Sequence, residues 1–160
     1  MSLEDWNWRL PADLQDVPWD CAACSLAWCL RSIGRSETEA DVVAGLGPSR
    51  ISPALGLLDA SGAGLVEYLG ELGIGAANNP DASWDEVLAA GGYQPMLIGG
   101  REWCHWVAVR IASQRFLEAT DRTLALMNPS PGYEDVRQVL YYDQFTGLGP
   151  FSAVWFTSWP

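Results

Sequence analysis

The chain has 160 residues, of which 49% are apolar and 18% charged, a composition that folds and buries a core without cross-links. Its 20 acidic against 9 basic residues give a formal net charge of −11, a field that repels phosphate backbones and disfavours nucleic acid as a partner. Four cysteines are too few for a disulfide scaffold, and no apolar run is long enough to cross a membrane. The start "MSLEDWNWRL" lacks the basic residues and apolar run of a secretory signal, so a cytoplasmic, reducing location is the default expectation.

Residues 1–18 read as an irregular arm, because Pro11 and Pro18 break any regular element. Asp20 then stands as an N-cap ahead of a buried helix running from Cys21 to Ile33, with Leu26, Leu30 and Ile33 on one face and Gly34 as the stop. Ser36 is the expected cap of a second helix, "ETEADVVAGL", whose first-turn acids suit the helix dipole. The stretch 47–80 is rich in Gly, Ala and Pro, and its clearest element is a short helix, "AGLVEYLGELG", ending at Gly73. Ser83 and Glu86 form a capping-box pattern that opens "WDEVLAAGG". Beyond it the pattern turns to strand: "QPMLIGG", "CHWVAVRIA", "RFLEA", "TLALMN" and "FSAVWF" are short apolar runs bounded by turn residues, with "YYDQFTGL" as one further helical turn. The expected architecture is α+β in one domain over 1–160, mainly helical over 19–92 and mainly β over 93–160.

Chemistry concentrates in "DVPWDCAACSLAWCL", which holds three of the four cysteines. A tetrahedral zinc site needs four ligands. Cys21 and Cys24 have the spacing for two, but Cys29 points to another side of the helix, and Cys104 and His105 face opposite sides of a strand. A thioredoxin-like redox pair would follow a buried strand, and "LPADLQDVP" is polar and broken by proline. The remaining reading is one nucleophile. Cys21 opens a helix, where unpaired N–H groups and the dipole favour a thiolate and lower its pKa, while Cys24 and Cys29 act as small apolar core residues. The chain's single histidine, His105, is the one imidazole available as its base. Asn128, ending a strand before Pro129, can orient that imidazole, with Asp121 as the substitute in another strand register. The side-chain amide of Gln15 can join the Cys21 N–H in holding an oxyanion.

This ordered set, "Q…WDCAACSLAWCLRSIG", "GGREWCHWVAVR" and "LALMNPSPGY", resembles the papain-like cysteine peptidase superfamily. Within it the similarity is greatest to the bacteriocin-processing, double-glycine-leader peptidases, whose pattern is Gln, Asp-Cys-Gly, a Ser-Leu-Ala helix, His-Trp-Val-Val and Asp-Pro. Ala22 replaces the usual Gly and Asn128 the commoner Asp. The resemblance implies a papain-like fold and a peptide or protein substrate. It makes Cys21 the nucleophile, His105 the general base, Asn128 the orienting residue and Gln15 the oxyanion donor, with no cofactor. Two other readings remain: a catalytically silent papain-fold binding module, and a transglutaminase-like acyl transferase in which Asp121 would do the orienting.

Overall fold

The computed structural model describes residues 6–90, 94–100, 105–113, 123–131, 138–141 and 151–160. In chain order the elements are α1 (Cys21–Ser32), α2 (Glu39–Leu46), β1 (Ile51–Ser52), β2 (Gly56–Leu57), α3 (Ala63–Glu71), β3 (Gly75–Ala82), α4 (Trp84–Ala90), β4 (Met96–Gly100), β5 (His105–Ser113), β6 (Thr123–Met127), β7 (Gln138–Tyr141) and β8 (Phe151–Ser158). The "RFLEA" strand, Asp121, Cys104 and residues 142–148 of the expected last helical turn lie outside the described residues; Tyr141, the last residue of β7, is extended.

Helix α1 is apolar almost all round, and of its residues only Arg31 escapes burial. Such a helix must be covered on every side. One flank meets α2, another the sheet, and the N-terminal arm straps the rest. The strap is held by Asn7 N–H on Ser32 O (2.7 Å), Trp28 Nε1–H on Pro11 O (3.0 Å) and the Arg31–Asp13 ion pair. Trp6 closes it with an edge-on contact to the Trp28 ring. The second helix is capped by Thr38, not Ser36: Thr38 Oγ1 accepts the Asp41 N–H while the Asp41 carboxylate accepts the Thr38 N–H. That reciprocal box satisfies two otherwise unpaired donors, so the helix starts two residues later than Ser36 would set it. At its other end Arg50 donates to the carbonyls of Gly45 and Leu46 and pairs with Glu71 at 2.8 Å, clamping α2 to α3. The Ser83–Glu86 box at α4 forms as the sequence predicts.

The sheet has six strands in the order β3-β8-β4-β5-β6-β7, every neighbouring pair antiparallel. Alternate residues of its central strands feed two separate cores. Leu97, Ala108, Met127, Val154 and Phe156 pack with α1 and α3, while Met96, Ile98, Val107, Val109, Leu126 and Ala153 pack with Val87 of α4. Burial on both faces is why these strands read as continuous apolar runs and not as alternating ones. Strand β3 was not expected, and it lies inside the stretch expected to be mainly helical. Its sequence "GAANNPDA" carries no apolar alternation, and it pairs only with β8, at the sheet edge, with register shifts on both sides of its paired segment. Proline is tolerated in a strand at such an edge. Among the described residues no helix is long and apolar enough to cross a membrane.

Candidate active site

Cys21 is the first residue of α1 and is 8% exposed. Its helix starts with Cys24 N–H on the Asp20 carbonyl at 2.9 Å. Asp20 holds the N-cap position, but its side chain makes no capping bond, contrary to the sequence expectation. The carboxyl is buried and hydrogen-bonded instead to that of Glu39 on α2.

His105 is the first residue of β5, and Asn128 directly follows β6. Because Ala108 pairs with Met127 in that hairpin, the start of β5 runs beside the Asn128-Pro129-Ser130 turn. His105 Nε2 lies 2.9 Å from Asn128 Oδ1, and the backbone N–H of Ser130 donates to the same oxygen at 3.0 Å. A backbone N–H can only donate, so the Asn128 atom it faces must be the oxygen. An amide oxygen can only accept, so His105 Nε2 must carry a hydrogen. In its neutral form the ring then has Nδ1 as its basic nitrogen. Ser130 Oγ, 3.3 Å from Nε2, adds a second polar neighbour to that nitrogen.

Cys21 and His105 wall one cleft of about 500 Å³, together with Pro18, Trp19, Trp106 and the β1–β2 hairpin. Ser25, buried one turn into α1, donates to the Trp106 carbonyl at 3.2 Å and so ties the cysteine's helix to the histidine's strand. Asn128 and Gln15 are not on the cleft walls. Asn128 meets the cleft through His105, and Gln15 is joined to the same turn by its N–H on the Pro129 carbonyl at 2.9 Å. The Gln15 side chain donates through Nε2 to Val17 O at 2.8 Å, and its buried Oε1 has no hydrogen-bond partner.

No protein-family profile and no curated protein sequence matches the chain. Solved structures do. The chain is similar to a double-glycine motif protease from an AMS/PCAT transporter, solved in complex with the leader peptide. That match has a TM-score of 0.68 at 15% identity and covers 95% of this chain and 94% of the other. It is also similar to the peptidase domain of Streptococcus ComA, a bi-functional ABC transporter, with a TM-score of 0.66 at 14% identity, covering 92% and 98%. The fold is papain-like.

Within this papain-like fold the environment of Cys21 departs from the expectation of a lowered pKa. Burial pushes the thiol up, and the charge of Asp20 adds to the rise; backbone hydrogen bonding from Trp106 and Ala22 pulls the other way without prevailing. A helix start lowers a thiol only where the thiolate stays hydrated or paired, and here desolvation is the larger effect. Cys24 and Cys29 are completely buried and pushed far higher still, mainly by desolvation, which leaves them as the small apolar residues expected. Of these three thiols, only Cys21 reaches the cleft.

Two polar residues of this candidate site carry only weak signals in the sequence. Ser130 was signalled by "NPS", an Asn whose side chain takes the N–H two residues on. Ser25 was signalled more weakly, as a hydroxyl inside an apolar helix that must find a partner when buried.

Proposed function

We propose that the protein is a cysteine peptidase or related amide hydrolase acting on a peptide. His105 Nδ1 takes the proton from Cys21 Sγ, and the thiolate attacks the substrate carbonyl carbon. The tetrahedral oxyanion is held by the Cys21 N–H and, once its side chain turns from Val17 into the cleft, by the Gln15 amide. His105 then gives its proton to the leaving amine, and a water molecule hydrolyses the thioester. Asn128 keeps the imidazole in the tautomer this sequence requires. The observation that carries the reading is the His105–Asn128 bond at 2.9 Å, its direction fixed by Ser130, on the same cleft as Cys21. The similar transporter protease binds a leader peptide, which favours a peptide substrate here as well. An acidic protein suits a neutral or cationic one.

A thiol raised by burial can still react if the imidazolium forms beside it, because an opposite charge at contact restores the thiolate. The test is peptide turnover together with alkylation mapped to individual cysteines. Cys21→Ala should abolish turnover, and His105→Ala should slow alkylation of Cys21 selectively. Equal, slow labelling of every cysteine would refute the pairing. The second reading, a silent papain-fold binding module, is favoured by the raised Cys21 thiol and by the bond from Gln15 Nε2 to Val17. Peptides bound but never cleaved across a broad library would select it.

A further inference from the structure

The hydrolytic chemistry makes no use of three acidic residues gathered behind the nucleophile. Asp16 comes from the arm, Asp20 from the residue before Cys21, and Glu39 from the first position of α2. Asp20 is 4% exposed, and its Oδ1 has no hydrogen-bond partner. Glu39, half-buried, accepts the Asp16 N–H at 3.4 Å and is hydrogen-bonded to the Asp20 carboxyl. Two carboxyl groups can be hydrogen-bonded directly only if one of them is protonated, since a carboxylate has nothing to donate. Among the described residues no cation offsets the pair. Asp16 and Asp20 are the charges that face Glu39, Cys24 lies alongside on α1, and the nearby Arg31 is already bound to Asp13 at 2.5 Å.

We propose that Glu39 is a positioning residue for Cys21: its protonated carboxyl donates to Asp20, fixes the residue that precedes the nucleophile, and keeps a second negative charge away from the thiol. The inference rests on Cys21 being the nucleophile. Burial, reinforced by Asp20, pushes the Glu39 carboxyl up to about 8, so it holds its proton at neutral pH. Above that range Glu39 ionises, the bond to Asp20 breaks, and two carboxylates face the start of α1. Both changes oppose a thiolate at Cys21. Glu39 therefore acts as a brake that engages as the medium becomes alkaline.

The experiment follows Cys21 alkylation by iodoacetamide from pH 5 to 10, with the site read by mass spectrometry. Wild type is compared with Glu39→Gln, whose amide still donates but cannot ionise, and folding is checked by circular dichroism. The ratio of the rate at pH 9 to that at pH 6 should be about tenfold larger in Glu39→Gln than in wild type, the effect of one nearby charge at intermediate dielectric. Independently, wild type at pH 7 should give the infrared C=O band of a protonated carboxyl; Glu39→Gln should lose it, and Asp20→Asn should shift it as the bond between the two carboxyls is lost. Superimposable alkylation profiles, or no protonated carboxyl at pH 7, would overturn the proposal. Should Glu39→Gln fail to fold, the wild-type band and its shift in Asp20→Asn decide the matter. Neither readout needs turnover. A protein that cleaved no peptide yet gave both results would sink the hydrolase reading and leave the carboxyl pair standing as the control on Cys21 reactivity.

Discussion

Gly99 is where the fold and the candidate site can be tested with one methyl group. It lies in β4 opposite Trp106 on one side and Ser152 on the other. A Cβ there would sit 2.5 Å from the Trp106 ring and 2.7 Å from the His105 carbonyl oxygen, where ordinary contact begins at 3.4 Å. The strand cannot retreat, being paired on both edges, so Gly99→Ala must push the start of β5 outward by about 0.7 Å, the distance that would restore van der Waals contact. Overpacking of this kind costs about 2 kcal/mol, or roughly 4–8 °C in Tm for a chain of this size. The displaced backbone is that of His105 itself. A shift approaching 1 Å at a reacting group costs about 100-fold in rate, so peptide turnover should fall by that order even at temperatures where the variant is fully folded. Thermal melts by circular dichroism, with turnover and Cys21 alkylation measured well below Tm, make the assay. Gly70→Ala is the control: nothing lies within 4 Å of its Cβ, and in the last turn of α3 the change should stabilise by less than the ~1 kcal/mol of a helix interior, with activity unaltered. A Gly99→Ala protein with wild-type melting and wild-type rates would refute the argument that this contact sets the position of His105.

Asn128→Ala should lower turnover by about 100-fold with little loss of folding, while Asn128→Asp, which keeps an acceptor for His105 Nε2, should retain most of it; equal losses in the two variants would contradict the tautomer assignment. Thr38→Ala removes the cap of α2 and should cost about 1 kcal/mol in urea unfolding. For Glu39 the sign of the pH effect is set by its raised carboxyl. The folded state holds a proton that the unfolded chain releases, so this stabilisation is complete below about pH 4.5 and drains away as the pH rises to about 8. Allowing for solvent screening of a half-buried group, about 2 kcal/mol should be lost over that range in wild type relative to Glu39→Gln. Parallel stability curves for the two proteins would contradict it.

The parts of the fold that were legible are those in which one force dominates. The runs "SLAWCL", "MLIG" and "VAV" are apolar because α1 and the central strands are buried from all sides, and the Ser83–Glu86 box announces itself by spacing. Strand β3 was illegible because a half-buried edge strand needs no apolar pattern: partnership with β8 makes it a strand. Among the site residues, the pairing of His105 with Asn128 could be inferred because both end strands of one hairpin. The rise of the Cys21 thiol could not. It depends first on how tightly the cleft closes over the helix start, which is not written near Cys21, and only then on the neighbouring Asp20. Likewise the seat of Gln15 is set by a turn far along the chain.

That last contact has a bearing on how the protein comes into being. The Gln15 N–H finds its acceptor at Pro129, and the Ser25 hydroxyl finds its acceptor at Trp106. Both link the first part of the chain to residues beyond position 100, so both require closure of long loops, and such contacts form late. During synthesis the cysteine leaves the ribosome long before the strands that carry its histidine and asparagine. The nascent chain therefore carries an unassembled centre for most of its elongation, and any hydrolytic power arrives only with completed folding.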